Sequence, residues 1–156
     1  VADAAIKYGY EVVNNESDII PVVFAAYFHD SIEDARLTYN DVVSIAGRFM
    51  TNEQCITAAE IVYALTNDKG RTRKERAGEH YYAGIRETPY APFVKLCDRL
   101  ANMTYCFNGT NDANNHMHKV YASEWSHFLQ AITVCNKDSR YSLPARMVSV
   151  VQSLFA

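Results

Sequence analysis

The segment His29-Asp30-Ser31-Ile32-Glu33-Asp34 sets one imidazole and three carboxylates directly behind an apolar run of ten residues, Ile19 to Phe28. A spacing of four puts His29 with Glu33, and Asp30 with Asp34, on adjacent stripes if the helical turn continues. Carboxylates gathered at the C-terminal end of a helix meet the negative end of its peptide dipoles, which costs about 0.3–1 kcal/mol per charge without a cation among them. A bound metal would reverse the sign. The plain alternative is an acidic, solvated helix end beside a turn. The apolar run favours the first reading, because it leads His29 and Asp30 toward the core.

A second polar intrusion lies in Val94-Lys95-Leu96-Cys97-Asp98-Arg99-Leu100-Ala101-Asn102-Met103. On a helical wheel the apolar residues form one broad arc, and Asp98 and Asn102 sit one turn apart at its edge. A boundary Asp is ordinarily solvated, or paired with an Arg such as Arg99. Set beside His29 and Asp30, it would add a third ligand from another helix, the way helical bundles build metal sites.

The elements that must position these groups are helical. Gly and Pro together number only 10 among 156 residues, and apolar positions recur at helical spacing nearly throughout. We expect an all-α, single compact domain of seven to eight helices: residues 1 to 13, 18 to 29 with Pro21 in the first turn, 39 to 49 behind Thr38, 52 to 66 with Thr51 and Gln54 as a capping box, a polar helix from 73 to 86, 91 to 107, 115 to 134 and 144 to 155. The helix entering His29 is apolar all round and so predicted to be central. The four cysteines, Cys55, Cys97, Cys106 and Cys135, stand apart without a CxxC pair and read as reduced core thiols of a cytoplasmic protein. No run is long enough to span a membrane, and a net charge of −3 gives no general attraction for nucleic acid. Val1 opens inside a helical pattern, and the expectation is that a helix precedes it.

Together, His29-Asp30 with Glu33-Asp34 and the string from Lys95 to Met103 resemble the HD-domain phosphohydrolases, and within them the hydrolase domain of RelA/SpoT proteins and their small single-domain relatives. The stretch Ala64 to Lys69, with Arg73-Lys74-Glu75-Arg76, resembles the segment that joins the two motifs in those relatives. The likeness extends from Val1 to about Leu129. It implies that His29, Asp30 and Asp98 ligate a divalent cation, Mn²⁺ first among the candidates, with a further His ligand falling just upstream of Val1. It implies that Glu33 and Asp34 position and deprotonate the attacking water and that Asn102 contacts the nucleotide. The implied reaction is removal of the 3′-pyrophosphate from guanosine tetra- or pentaphosphate.

Lys69, Arg71, Arg73, Lys74 and Arg76 form the densest basic run. It reads either as a solvated loop and helix start, or as a clamp in which Arg73 and Lys74 hold substrate phosphates that could not otherwise dock beside Glu33 and Asp34. Tyr121 could stack on the nucleotide, although a Tyr at helical spacing is more often core. His116 and His118 are expected to face solvent. Two rival functions stay open: an HD phosphohydrolase of another nucleotide, such as NADPH or a deoxynucleoside triphosphate, and a degenerate HD module that binds without turnover. The expected partner is a small nucleotide, not nucleic acid or membrane. A homo-oligomer is left open.

Overall fold

In a computed structural model, which describes residues 1–155, the chain is all-α as expected, with no strand among the described residues. The order is α1 (Ala2–Tyr8), α2 (Ile19–Phe28), α3 (Ser31–Asp34), α4 (Tyr39–Ala46), α5 (Asn52–Leu65), α6 (Arg73–Arg76), α7 (Glu79–Glu87), α8 (Ala91–Asn108), α9 (Asp112–Ile132) and α10 (Ala145–Ser153), with 3₁₀ turns at 9–11, 16–18 and 139–141. Helices α3 and α6 are single turns, so the substantial helices number eight, within the expected range. No helix is long and apolar enough to cross a membrane among the described residues.

Capping chemistry sets several boundaries. Thr38 and Thr51 start α4 and α5 as reciprocal capping boxes with Asp41 and Gln54, satisfying amides that the first turn leaves without partners. A third box, Thr72 with Glu75, starts α6. The polar helix expected over 73–86 is in fact two. The backbone amide of Asp68 and the side-chain amide of Asn67 both donate to the Arg76 carbonyl, at 3.1 and 3.2 Å, so that oxygen is satisfied from outside the helix and the chain breaks at Ala77-Gly78. The first helix also stops at Tyr8 rather than Val13, α4 stops at Ala46 rather than Phe49, and α9 starts at Asp112 because Asn111 caps it.

Helix α8 is the axis of the core and packs against α1, α2, α5, α7 and α9. Phe93, Val94, Leu96, Cys97 and Met103 on its apolar arc are buried; each large side chain there contributes about 1.5–3 kcal/mol of burial. Helix α2 packs on α5 but is not apolar-buried all round: Ile19 and Ile20 are 50% exposed and Tyr27 68%. Cys55, Cys97 and Cys106 are buried free thiols as predicted, whereas Cys135 lies exposed beyond the end of α9.

The entry to α8 is strained. Tyr90 holds φ at 66°, a region that a bulky L-residue rarely occupies, yet it is only 2% exposed. Its amide donates to Arg140 O at 2.7 Å and its hydroxyl donates to the Asp18 carboxylate, so two distant segments fix the turn. Tyr90→Phe keeps the ring and removes the charged hydrogen bond. We expect it to lower the free energy of unfolding by about 1.5–3 kcal/mol, read from urea midpoints with an unchanged m-value.

Candidate metal and anion site

Helix α2 does not run on through the acidic segment. It ends at Phe28; Asp30 takes φ −97° and ψ 5°, and α3 restarts at Ser31. This corner, in the sparsely populated bridge region, aims successive side chains in different directions instead of along two stripes. His29 turns inward, with its side chain 13% exposed. Its Nδ1–H donates to Ala26 O at 2.9 Å, which fixes the tautomer and leaves Nε2 facing Asp30 Oδ2 at 3.0 Å and Asp98 Oδ1 at 3.5 Å.

A neutral imidazole held that way would point a lone pair at two carboxylates, so the position requires one cation, a proton or a metal ion. Burial alone would lower the His29 pKa, but the hydrogen bonds and charges of Asp30 and Asp98 outweigh it and push the value up to about 10. A proton therefore fills the position when nothing else does. Imidazole nitrogen and carboxylate oxygen form a donor set suited to a borderline divalent ion. His29 touches both carboxylates, but no group of three or more His, Cys, Asp or Glu side chains among the described residues is spaced as a finished metal cage.

Asp98 is held from three sides. Lys95 Nζ donates to Oδ2 at 2.9 Å, Asn102 Nδ2 donates to Oδ1 at 2.9 Å, and His29 approaches the same Oδ1. Burial would raise its pKa, yet His29 and Lys95 hold it well below the usual carboxylate range. Arg99, the partner that the plain alternative offered Asp98, turns away to Glu124; Lys95, one turn earlier on the same face, pairs with Asp98 instead.

A cleft of about 700 Å³ opens beside this cluster, and Lys95 belongs to both. Glu33 lines the cleft, its carboxylate accepting the Asn67 backbone amide. Arg73, Lys74 and Arg76 line it too, as do Arg99, Glu124 and His127. Glu124 receives Arg73 through Nε and Nη2, at 2.8 and 3.0 Å, and Arg99 through Nη1 at 3.2 Å. Arg99 is 5% exposed, with its guanidinium 4.0 Å from the centre of the Phe128 ring and 4.7 Å from that of Tyr121. Tyr121 is thus a buried support for two guanidinium groups and does not itself line the cleft.

Of the residues singled out from sequence, His29, Asp30, Asp98 and Asn102 meet in one cluster, while Glu33, Arg73 and Lys74 meet in the adjoining cleft. Asp34 is exposed at the end of α3, outside the cleft lining, and Ser31 Oγ is buried without a hydrogen-bond partner among the described residues. His116 is exposed as expected; His118 is half-buried, packed edge-on to Phe107 at 4.0 Å between ring centres. Sequence reasoning missed Lys95, Glu124, His127 and Phe128. Only Lys95 carried a local signal, its spacing of three from Asp98.

Glu124 also supports the fold. Burial would raise its pKa, but the Arg73 hydrogen bond, followed by the charges of Arg73 and Arg99, lowers it below the ordinary glutamate value. A depressed carboxylate contributes stability that is present above the unfolded-state pKa and lost as pH falls through the folded value. We expect urea midpoints of the wild type to drop between pH 7 and pH 3 by more than those of Glu124→Gln.

The fold and site together define an all-helical protein carrying a histidine–carboxylate cluster at the edge of an arginine-rich, aromatic-backed cleft. Among characterised proteins, the chain is similar to the guanosine-3′,5′-bis(diphosphate) 3′-pyrophosphohydrolase MESH1 of Danio rerio, at 30% identity over 94 residues, 59% of this chain and 48% of that protein. The chain therefore spans about half the length of that hydrolase. No family model and no solved structure matches.

Proposed function

We propose that the protein is a metal-dependent HD-type phosphohydrolase of a guanosine nucleotide bearing a 3′-pyrophosphate. The observation that carries this reading is the shared position of Lys95, which joins a cluster needing a cation to a cleft built for anions. The similarity to the Danio rerio hydrolase supports it.

On this reading His29 Nε2, Asp30 and Asp98 hold the ion, and Lys95 and Asn102 keep the Asp98 carboxylate oriented. A divalent cation such as Mn²⁺, when bound, would draw charge from phosphate oxygens and acidify a water. Glu33, at the cleft wall, accepts the proton of the attacking water, with the Asn67 amide fixing its carboxylate. Asp34 assists from the exposed end of α3. Arg73 and Lys74 neutralise the substrate phosphates, and Tyr121 stiffens Arg73 from behind. Asn102, already committed to Asp98, reaches nucleotide only by sharing its amide.

The test is direct. Incubating the protein with guanosine 3′,5′-bis(diphosphate) and Mn²⁺ should release pyrophosphate and GDP. Turnover of NADPH or a deoxynucleoside triphosphate in its place would reassign the substrate. One observation favours a second reading, nucleotide binding without turnover: the Lys95 ammonium already pairs with Asp98 at 2.9 Å, so part of the carboxylate charge is balanced without a metal. Tight nucleotide binding with no release under any divalent metal would select it.

A further inference from the structure

Arg73 and Arg99 both line the cleft, yet neither guanidinium is free. Glu124 engages Arg73 along its Nε–Nη2 edge, the same bidentate edge a phosphate would take, and reaches Arg99 with the same oxygen that receives Arg73 Nη2. Three helices meet in this contact: α6 supplies Arg73, α8 Arg99 and α9 Glu124. Tyr121, one turn before Glu124 on α9, lies within 5.4 Å of the Arg73 guanidinium and 4.7 Å of that of Arg99. Arg99 is packed in place at 6% exposure, whereas the Arg73 side chain is 47% exposed and is the one that a ligand can reach. Exchange of partners therefore falls to Arg73.

The geometry points to Glu124 as a built-in competitor for the ligand's phosphate, an anion that occupies Arg73 until a polyphosphate displaces it and so sets the number of charges a ligand needs to enter the cleft. A lone phosphate offers Arg73 little that Glu124 does not already give. A diphosphate takes over the Arg73 edge and also reaches Lys74 and Arg76 on the same wall, which no single carboxylate can do. The inference rests on the cleft being where substrate docks, and it names the residue that governs entry.

The experiment measures binding of inorganic pyrophosphate by calorimetry in buffer free of divalent cations, so that the arginines are read alone. We expect Glu124→Gln to bind pyrophosphate about tenfold more tightly than the wild type while melting at a lower temperature, since the ion pairs are gone but the cations are released. In an Arg73→Gln background the same substitution should gain less than about twofold, because the exposed guanidinium that Glu124 held is gone and Arg99, the other one, stays buried against Phe128 and Tyr121. A residue that merely positioned the arginines would give the opposite sign. Weaker or unchanged binding in Glu124→Gln, or an equal gain with and without Arg73, overturns the proposal. Neither outcome needs turnover, so a protein that binds in this pattern but releases no product would refute the hydrolase reading alone.

Discussion

Asp98→Ala is expected to abolish manganese binding and to reduce hydrolysis by about a thousandfold or more, while the far-ultraviolet circular dichroism stays that of a helical protein. The expectation follows from where Asp98 sits. It is the one carboxylate that His29, Lys95 and Asn102 all contact, so removing it takes away a ligand and leaves the Lys95 ammonium, itself only 15% exposed, without a counter-ion. That second loss costs stability, by about 3 kcal/mol on the scale of broken buried pairs. Asp98→Asn separates the two effects: it retains the shape and the hydrogen bond from Lys95, and it should lose the metal with a smaller fall in melting temperature. Stoichiometric manganese in Asp98→Ala, measured by electron paramagnetic resonance of the free ion, would remove Asp98 from the ligand set.

The second large effect is expected at Glu33. Glu33→Gln should lower kcat by about a hundredfold to ten-thousandfold and leave KM within about threefold, the pattern of a group that acts on a proton in the transition state and not on substrate binding. The amide oxygen of Gln can still accept from the Asn67 backbone N–H, so the local structure persists and the loss reports chemistry. A rise in KM with kcat unchanged would make Glu33 part of the cleft wall and no more. The exposed Asp34 makes a useful contrast, since its place outside the cleft lining predicts a smaller loss for Asp34→Asn.

The parts of this molecule that were legible in its sequence are the ones decided locally. Thr38 and Thr51 announced two helix starts because a capping box needs only four consecutive residues, and the apolar arc of α8 was visible because its period is that of one helix. The pairing of His29 with Asp98 was read from two motifs far apart in the chain, and helix packing brings them together. What stayed hidden depends on partners from elsewhere. Nothing within Arg73 to Arg86 shows that Asn67 and Asp68 will take the Arg76 carbonyl and split the helix, nor does the neighbourhood of Tyr90 show that Asp18 and Arg140 will hold it at positive φ. The exposure of Ile19, Ile20 and Tyr27 was missed for the same reason: hydrophobicity marks what can be buried, while neighbours decide what is. Glu124 was invisible because its meaning comes from two arginines on other helices.

On the reading proposed above, the gap between His29 Nε2 and the two aspartates takes a cation that a metal can supply. The most direct measurement is crystallography of the protein soaked in manganese, with data collected for anomalous scattering. One anomalous peak is expected, bonded to His29 Nε2 and to oxygens of Asp30 and Asp98, with Lys95 still on Asp98. A protonated His29 still hydrogen-bonded to both carboxylates at saturating manganese, with no peak between them, would contradict it.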